Sequence, residues 1–292
     1  MRSPTFTIDV VWDMETGDPD DFLTLLFLIG HPAVNLKAVT ITPGSPQQIG
    51  LVRKALSFFN LDIPVGAYNK NHPKSCVSQW HYKVYGDIPP SDNAEDGGEV
   101  LRRYCDSNTT LITGAPLKNL GSAIALNFHV GRWVAQGGFA GVGVIPCDQQ
   151  LDKFKGLVTC PSYNLNGDPK SATSAIAYPG IAVKRFVSKN VCHRVCYDWE
   201  IHAQLAAVKD KSLSLSLIWQ GMDIYLRDRP QGKLLHDPLA ACCAIDESIA
   251  SWAEVELFRH QGEWGAKLSP NSNTWIITDY DRDKFLATLT AY

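Results

Sequence analysis

The residues best suited to chemistry stand near the N-terminus, where five acidic side chains fall within nine positions, residues 13–21, which read DMETGDPDD. An apolar run at residues 8–12, broken by Asp9, precedes them and predicts a buried strand. Carboxylates crowded into one turn repel each other and are costly to bury. A hard cation with oxygen ligands would offset that cost. The stretch therefore predicts a metal or catalytic site.

A purely structural role can explain part of this acidic stretch. An apolar, helix-like run follows it, so Asp20 and Asp21 would lie in the first turn of a helix and complement its dipole. Asp18 would then be the cap of that helix. This role does not account for Asp13 and Glu15, which lie on the strand side of the turn. We therefore favour the metal or catalytic interpretation.

A second candidate motif, His236-Asp237-Pro238, lies far along the chain, where a strongly apolar helix is predicted to begin. An Asp at a helix start is commonly only a cap, so the motif alone is ambiguous. If this helix begins opposite the acidic turn, Asp237 can add a ligand to the same cation. Carboxylates and a main-chain carbonyl favour calcium over zinc as that cation.

Predicted strands and helices alternate along the chain in the manner of parallel βαβ units. Strands are predicted at residues 8–12, 34–41, 63–67, 109–113, 130–134, 181–187, 252–258 and 275–278. Helices are predicted at residues 22–30, 48–59, 99–105, 117–126, from 169 onward, 199–209, 213–227, 239–249 and 281–289. We expect an α/β fold in one domain, residues 1–292, with an open, mostly parallel sheet flanked by helices.

Ligands of open parallel sheets bind beyond the carboxyl ends of the strands. The acidic turn, residues 42–45, Thr113 and the glycine-rich residues 136–143 all fall at such ends. The glycine-rich run lacks G-x-G-x-x-G spacing, so dinucleotide binding is not indicated. Residues 68–98 and 148–161 break the alternation, and we interpret them as inserted loops. The first contains many aromatic residues and is expected to rim the site.

The composition is that of an ordinary soluble protein, with 45% hydrophobic residues, 20% charged residues and a net charge of −3. It gives no support for binding to nucleic acid or to a membrane. We find no run of membrane-spanning length and no leader-like start. The eight cysteines are spaced too irregularly for a disulfide framework. We therefore expect reduced thiols and a cytoplasmic location.

Five motifs, taken in order, resemble the nucleoside hydrolase family of the inosine–uridine preferring type. The family's D-x-D-P-G-x-D-D resembles residues 13–21 with one extra residue, and its T-G-x-L-T-N resembles residues 113–119 (TGAPLKN), also one residue longer. M-G-G is matched by residues 136–138 (QGG), E-F-N-x-x-x-D-P by residues 162–169 (SYNLNGDP), and H-D-P by residues 236–238. Each motif is weak singly, but the ordered set is specific.

The resemblance implies an N-ribosyl hydrolase of nucleoside salvage that releases free base and ribose from a ribonucleoside, in a homodimer or homotetramer. It implies a bound Ca²⁺ that holds the attacking water and the ribose 2′- and 3′-hydroxyls. The implied metal ligands are Glu15, Asp21, the carbonyl of Thr113, and Asp237. Because calcium lowers the pKa of its water less than zinc does, a carboxylate base is still needed.

The resemblance also implies catalytic and substrate-binding roles for matched positions. Glu15 corresponds to the general base, Asp13 is the alternative base, and His236 would protonate the departing nucleobase. The implied substrate-binding positions are Asp20 for the ribose 2′-hydroxyl, Asn164 for the outer ribose hydroxyls, and Gln136 and Ser162 in the adjoining motifs.

Several positions depart from the family pattern. Glu15 replaces an aspartate, Ser162 stands where a glutamate often binds the ribose 5′-hydroxyl, and Gly143 stands where a sugar-binding asparagine often lies. Because these changes accompany the insertion at 148–161, we expect the 5′ side of the substrate to differ from a plain nucleoside, or residues of the insertion to bind it. The alternatives are hydrolysis of a modified nucleoside or other ribosylated small molecule, and calcium-dependent binding without turnover.

Overall fold

The computed structural model describes residues 7–292, so the first six residues of the predicted domain lie outside the described range. Within that range the strands are β1 (Ile8–Met14), β2 (Val34–Ile41), β3 (Val65–Ala67), β4 (Glu95–Asp96), β5 (Thr109–Thr113), β6 (Val130–Gln136), β7 (Thr159–Cys160), β8 (Ile181–Val187), β9 (Cys196–Tyr197), β10 (Lys233–Leu234), β11 (Ala250–His260), β12 (Glu263–Leu268) and β13 (Thr274–Tyr280).

The helices are α1 (Pro19–Gly30), α2 (Pro46–Phe58), α3 (Gln79–Tyr85), α4 (Gly97–Tyr104), α5 (Lys118–Ala125), α6 (Tyr163–Gly167), α7 (Pro169–Ala177), α8 (Lys189–Cys192), α9 (Trp199–Ala206), α10 (Leu213–Asp228), α11 (His236–Ile245) and α12 (Arg282–Leu289). Short 3₁₀ turns occur at Asp152–Phe154, Lys209–Lys211 and Glu247–Ile249. All eight cysteines are free, as expected from their spacing.

Eleven strands form one sheet in the order β4-β3-β2-β1-β5-β6-β8-β13-β11-β12-β7. Neighbours are parallel from β4 to β13 and antiparallel from β13 to β7. The predicted α/β fold, with a mostly parallel sheet flanked by helices, is confirmed. In the centre of the sheet Asp13 is in register with Thr113, and Thr113 with Ala135. The motifs that follow β1, β5 and β6 therefore emerge side by side at one edge.

The burial of α1 brings acidic residues into the interior of the protein. Residues 19–28 of this helix are all buried, as expected for a helix that is apolar around its whole circumference. The helix α11 is buried in the same way from Asp237 to Ala244. Both helices begin with acidic residues, so their first turns carry carboxylates into surroundings with little water.

The structure departs from the predicted elements mainly at the antiparallel edge. The strand β12 was missed because its hairpin turns at Gln261 and Gly262, which both have positive φ, whereas Asn-Gly is the stronger sequence signal for such a turn. The helix predicted to end at residue 249 ends at Ile245. The segment 148–161 contributes β7, which pairs with β12 and forms the last strand of the sheet.

Candidate active site

The acidic loop after β1 meets the start of α11 at the carboxyl end of the sheet. One carboxylate oxygen each from Asp20, Asp21 and Asp237 lies within 4.8 Å of the other two. These side chains are between 2% and 4% exposed. The two distant parts of the sequence that were expected to share a cation are therefore adjacent in the fold.

A cavity of about 310 Å³ opens beside these carboxylates. Among the residues that line it are eight predicted for the site: Glu15, Asp20, Asp21, Gln136, Ser162, Asn164, His236 and Asp237. The other two predicted residues, Asp13 and Thr113, do not line it, although Gly114 does. The hydroxyl of Thr113 accepts a hydrogen bond from Trp133 Nε1 at 2.9 Å, and the carbonyl of Thr113 as a metal ligand stays a prediction.

The donor atoms of this cluster fit a hard divalent cation. Asp237 Oδ1 is buried and has no hydrogen-bond partner within residues 7–292. Burial, followed by repulsion from neighbouring carboxylates, raises the pKa of Asp21 and of Asp237 well above the ordinary value. A bound divalent cation reverses this effect because it favours the ionised carboxylates. The ligands available here are all oxygen atoms, which suits Ca²⁺ better than Zn²⁺.

Gly114 keeps the space beside Asp237 open. A Cβ atom at this position would lie 2.5 Å from Asp237 Oδ1 and 2.4 Å from the ring of Trp12, which is closer than Cβ atoms approach other atoms. The Thr113–Gly114 peptide therefore packs directly against the unpartnered oxygen. This contact brings the main chain after β5 to the carboxylate cluster.

Asp20 connects the acidic loop to α11. Its Oδ2 accepts hydrogen bonds from the backbone nitrogens of His236 at 3.1 Å and Asp237 at 3.4 Å. Its Oδ1 lies 3.0 Å from Lys233 Nζ. A carboxylate at this position complements the positive end of the α11 dipole. Asp20 therefore fixes the position of the helix that supplies Asp237.

Lys233 was not identified from the sequence as a site residue. Its ammonium lies 3.1 Å from Asp18 and 3.0 Å from Asp20. Burial alone would lower the pKa of Lys233, but these two carboxylates raise it above the ordinary value. Asp18 occupies the N-cap position of α1, but its side chain makes no capping hydrogen bond, so the purely structural alternative does not explain this residue. Asp18 instead forms the ion pair with Lys233.

Glu15 presents its carboxylate to the cavity. Its Oε2 accepts a hydrogen bond from the Tyr163 hydroxyl at 3.3 Å, and its backbone nitrogen donates to Asp21 Oδ1 at 3.0 Å. Burial raises the pKa of Glu15 to about 7 against the opposing effect of the Tyr163 hydrogen bond. A carboxyl group with a pKa near neutrality is suited to general base chemistry.

Asp13 is fully buried below the cavity. Its Oδ1 accepts hydrogen bonds from Thr40 Oγ1 at 2.6 Å and from Asn119 Nδ2 at 2.8 Å. Burial raises the pKa of Asp13 to about 7. Asn119 also donates to the Ile41 carbonyl at 3.2 Å. Asp13 and Asn119 therefore join the ends of the central strands to α5, while Asp13 Oδ2 is buried and has no hydrogen-bond partner within residues 7–292.

The cavity wall opposite the acidic loop is formed by the matched motifs at residues 136–138 and 162–169. Asn164 Nδ2 donates to the side-chain oxygen of Gln136 at 2.8 Å and to its carbonyl at 3.1 Å. Ser162 Oγ accepts a hydrogen bond from the Gly138 nitrogen at 3.1 Å. The positive φ of 77° at Gly138 is readily adopted only by glycine. The structure thus brings Gln136, Ser162 and Asn164 together on one wall.

His236 lies between the acidic loop and a second histidine. Its ring stacks on that of His193 with the centroids 4.8 Å apart, and both residues line the cavity. His236 Nε2 is buried and has no hydrogen-bond partner within residues 7–292. Burial lowers the pKa of His236 below the ordinary value. This nitrogen is consequently available for a bound ligand.

The far end of the cavity is basic. Lys189 lines it and donates from Nζ to Cys160 Sγ at 3.8 Å. Lys153, from the segment 148–161, donates to His193 Nδ1 at 2.8 Å. We did not predict these residues for the site, because isolated lysines in loops have no characteristic spacing that would indicate a function.

A larger cavity of about 820 Å³ lies on the other side of the acidic loop, and Asp18 lines both cavities. Trp80 and Tyr82 of α3 and Tyr225 of α10 line the larger one. Trp80 is fixed by a hydrogen bond from Nε1 to the Gly221 carbonyl at 3.1 Å. The aromatic segment expected to rim the site therefore lines this larger cavity through α3, and none of its residues lines the cavity beside the carboxylates.

Comparison with known proteins identifies the family. The sequence model of the family of inosine-uridine preferring nucleoside hydrolases matches residues 10–287 of this chain. The chain belongs to this family. Its members are N-glycosidases that act on nucleosides and depend on a metal ion, so the predicted family and enzyme class are confirmed. An uncharacterized protein of Aquifex aeolicus strain VF5 is 26% identical over 291 residues, covering 95% of this chain and 96% of its own length.

Solved structures share the fold over nearly the whole chain. A plant nucleoside hydrolase superposes with a TM-score of 0.72 at 18% identity, covering 97% of this chain and 98% of its own. The inosine-uridine preferring nucleoside hydrolase from Bacillus anthracis gives a TM-score of 0.70 at 18% identity with the same coverage. Within residues 7–292, no helix combines the length and apolarity needed to cross a membrane.

Proposed function

We propose that this enzyme hydrolyses the N-glycosidic bond of a ribonucleoside with the help of a bound Ca²⁺. The observation that carries the proposal is the cluster of three buried carboxylates with an unpartnered oxygen on Asp237. Asp21, Asp237, Glu15 and the carbonyl of Thr113 would hold the ion. When bound, it would hold the ribose 2′- and 3′-hydroxyls and lower the pKa of the attacking water.

In the reaction, the oxygen of water forms a bond to the ribose C1′ while the bond from C1′ to the base nitrogen breaks. Glu15 takes the proton of the water, and the electron pair of the broken bond goes to the departing base, which must be protonated. Asp20, Asp21 and Asp237 favour the positive charge that develops on the ribosyl ring. The products are the free base and ribose.

The remaining residues position the ribose and the base of the substrate. Asp20, already fixed by Lys233 and α11, would accept the 2′-hydroxyl. Asn164, held by Gln136, would bind the outer ribose hydroxyls. The unpartnered Nε2 of His236 would lie toward the base and donate a proton to the departing base nitrogen. Stacking on the aromatic side chains of the larger cavity would then retain the base.

A reducing-sugar assay over a broad ribonucleoside set tests this proposal, with millimolar CaCl₂ or EDTA and with Asp21→Asn as the matched inactive variant. We expect base and ribose in a one-to-one ratio, with loss of at least about 10³-fold in rate on metal removal or in Asp21→Asn. Calcium-dependent binding of nucleoside without sugar release would instead identify a binding protein. Failure to bind Ca²⁺ in titration calorimetry would refute the metal assignment.

We also propose, from the family resemblance alone, that the enzyme is a homodimer or homotetramer in the cytoplasm. Sedimentation equilibrium would give the subunit number directly. A monomer at micromolar concentration would contradict the proposed assembly without affecting the assignment of the active site.

A further inference from the structure

The basic end of the cavity offers hydrogen-bond donors to an anion. Lys189 lines the cavity, and its ammonium is held near Cys160. Within residues 7–292, neither Lys189 nor Lys153 forms an ion pair with a carboxylate, whereas Lys233 is paired with two. The acid near this end, Glu263, accepts a hydrogen bond from Thr159 at 2.6 Å and does not line the cavity.

The hydrogen bond from Lys153 fixes the protonation of His193. An ammonium group has only donors, so His193 Nδ1 must be the acceptor and its Nε2 carries the hydrogen. The stacked ring of His236 restricts the orientation of His193. This end of the cavity therefore presents the ammonium group of Lys189 and the imidazole of His193, and Lys153 holds His193 from outside the cavity.

Lys189 and Ser162 line the same cavity, and the family resemblance at Ser162 implies that this is the side of the ribose 5′ position. Lys189 contacts Cys160, two residues before Ser162, and Ser162 stands where the family often has a glutamate for the 5′-hydroxyl. The serine hydroxyl is occupied by the Gly138 nitrogen. Replacement of glutamate by serine removes a negative charge that would repel an anion, while two lysines supply positive charge nearby.

We propose that the substrate carries a phosphate ester on its ribose 5′ oxygen, and that Lys189 and His193 bind this group while Lys153 holds the His193 ring and adds positive charge behind it. The substrate class is a ribonucleoside 5′-monophosphate. This inference rests on the proposed N-ribosyl hydrolysis: water adds to C1′, the bond to the base nitrogen breaks, and the products are free base and ribose 5-phosphate. The phosphate ester is unchanged by the reaction.

Turnover of matched substrate pairs tests the proposal. Base release is measured from ribonucleosides and from their 5′-monophosphates, using the wild type, Lys189→Met, and Lys155→Met as a control lysine in the same segment. Since hydrogen bonds between charged partners are about twice as strong as neutral ones, we expect kcat/KM to be about 100-fold higher for the monophosphates. Lys189→Met should remove most of this preference, while Lys155→Met, outside the cavity, should retain it and leave the turnover of plain nucleosides within about twofold of the wild type.

A binding measurement separates this proposal from the proposed hydrolysis. Ribose 5-phosphate and ribose are titrated calorimetrically into the intact enzyme with millimolar CaCl₂. Binding of ribose 5-phosphate at least about tenfold tighter than ribose, lost in Lys189→Met, supports the phosphate site even if no base is released from any substrate. Equal binding of the two sugars, or a preference that survives Lys189→Met, overturns the phosphate site even if nucleosides are hydrolysed.

Discussion

The two ends of the cavity differ in how they are built. The carboxylate end is formed by the ends of adjacent parallel strands and by two buried helices, and its Asp20, Asp21 and Asp237 are 2% to 4% exposed. The basic end is formed by Lys189 of the short helix α8 and by His193, which is held by the exposed Lys153 of the segment 148–161. The first end is fixed by the core of the fold, whereas the second depends on a surface segment.

Because of this difference, we expect the carboxylate end to carry out the reaction and the basic end to select the substrate. Buried, mutually repelling carboxylates are stable only with protons or a cation, so the carboxylate end is suited to hold the reacting centre. Half-exposed lysines contribute less per contact because water competes for them. The basic end can therefore change the preferred substrate without altering the reaction.

The largest expected effect is on kcat, and it distinguishes the role of Glu15 from that of Asp13 within the carboxylate end. Glu15→Gln keeps the shape of the side chain but removes the base, and we expect kcat to fall by about 10²- to 10⁴-fold. Asp13→Asn alters only the hydrogen bonds below the cavity, and we expect a loss of less than about tenfold in kcat with a destabilisation of about 1 kcal/mol. Steady-state kinetics and urea unfolding of both variants measure these effects. The reverse order of the kcat losses would make Asp13 the base.

A smaller effect concerns stability as a function of pH in the absence of calcium. Burial raises the pKa of Asp13 and of Glu15 to about 7, and that of Asp21 and Asp237 well above the ordinary value. Between pH 4 and 7 the folded state therefore retains protons that the unfolded chain has released. Stability is greatest below about pH 4 with respect to these groups and declines as the pH rises through 7, by on the order of a few kcal/mol in total.

Urea unfolding from pH 5 to 8, with EDTA and with millimolar CaCl₂, measures this decline. Calcium should reduce it, because the ion stabilises the ionised forms of the carboxylates that contact it. The part of the decline that arises from Asp13 should remain, since this residue lies below the cavity. A stability that rises from pH 5 to 8 without metal would contradict the protonated state of the cluster.

The sequence was sufficient to predict the carboxylate end because regular structure positions it. Parallel strands bring their carboxyl ends to one edge, so the motifs that follow β1 and β5 were expected at the same edge, and the structure adds that Asp13 is in register with Thr113. The apolar character of α1 and α11 then places Asp21 and Asp237 in the interior. Calcium binding and the individual residue roles remain predictions, but the juxtaposition of these side chains is observed.

The basic end could not be predicted in the same way. A two-residue strand such as β7 has too few positions to show an alternating pattern, so residues 148–161 could be interpreted only as a loop. Long lysine side chains can contact residues far from their own position in the sequence, which is why Lys233 and Lys153 were missed. The substitutions at Ser162 and Gly143, beside the insertion at 148–161, were the sequence features that indicated a change at the 5′ side.

The smallest expected effect concerns the exposed member of the basic end. Lys153→Met removes the hydrogen bond to His193 and one of the two ammonium groups, but water partly compensates at an exposed position. We expect a rise of about fivefold in KM for a ribonucleoside 5′-monophosphate, with kcat unchanged within about twofold. Kinetics of this variant beside Lys189→Met measure the difference. A fall in kcat as large as that of Glu15→Gln would show that the two ends of the cavity are not separable, because a contact at the basic end would then control the reacting centre.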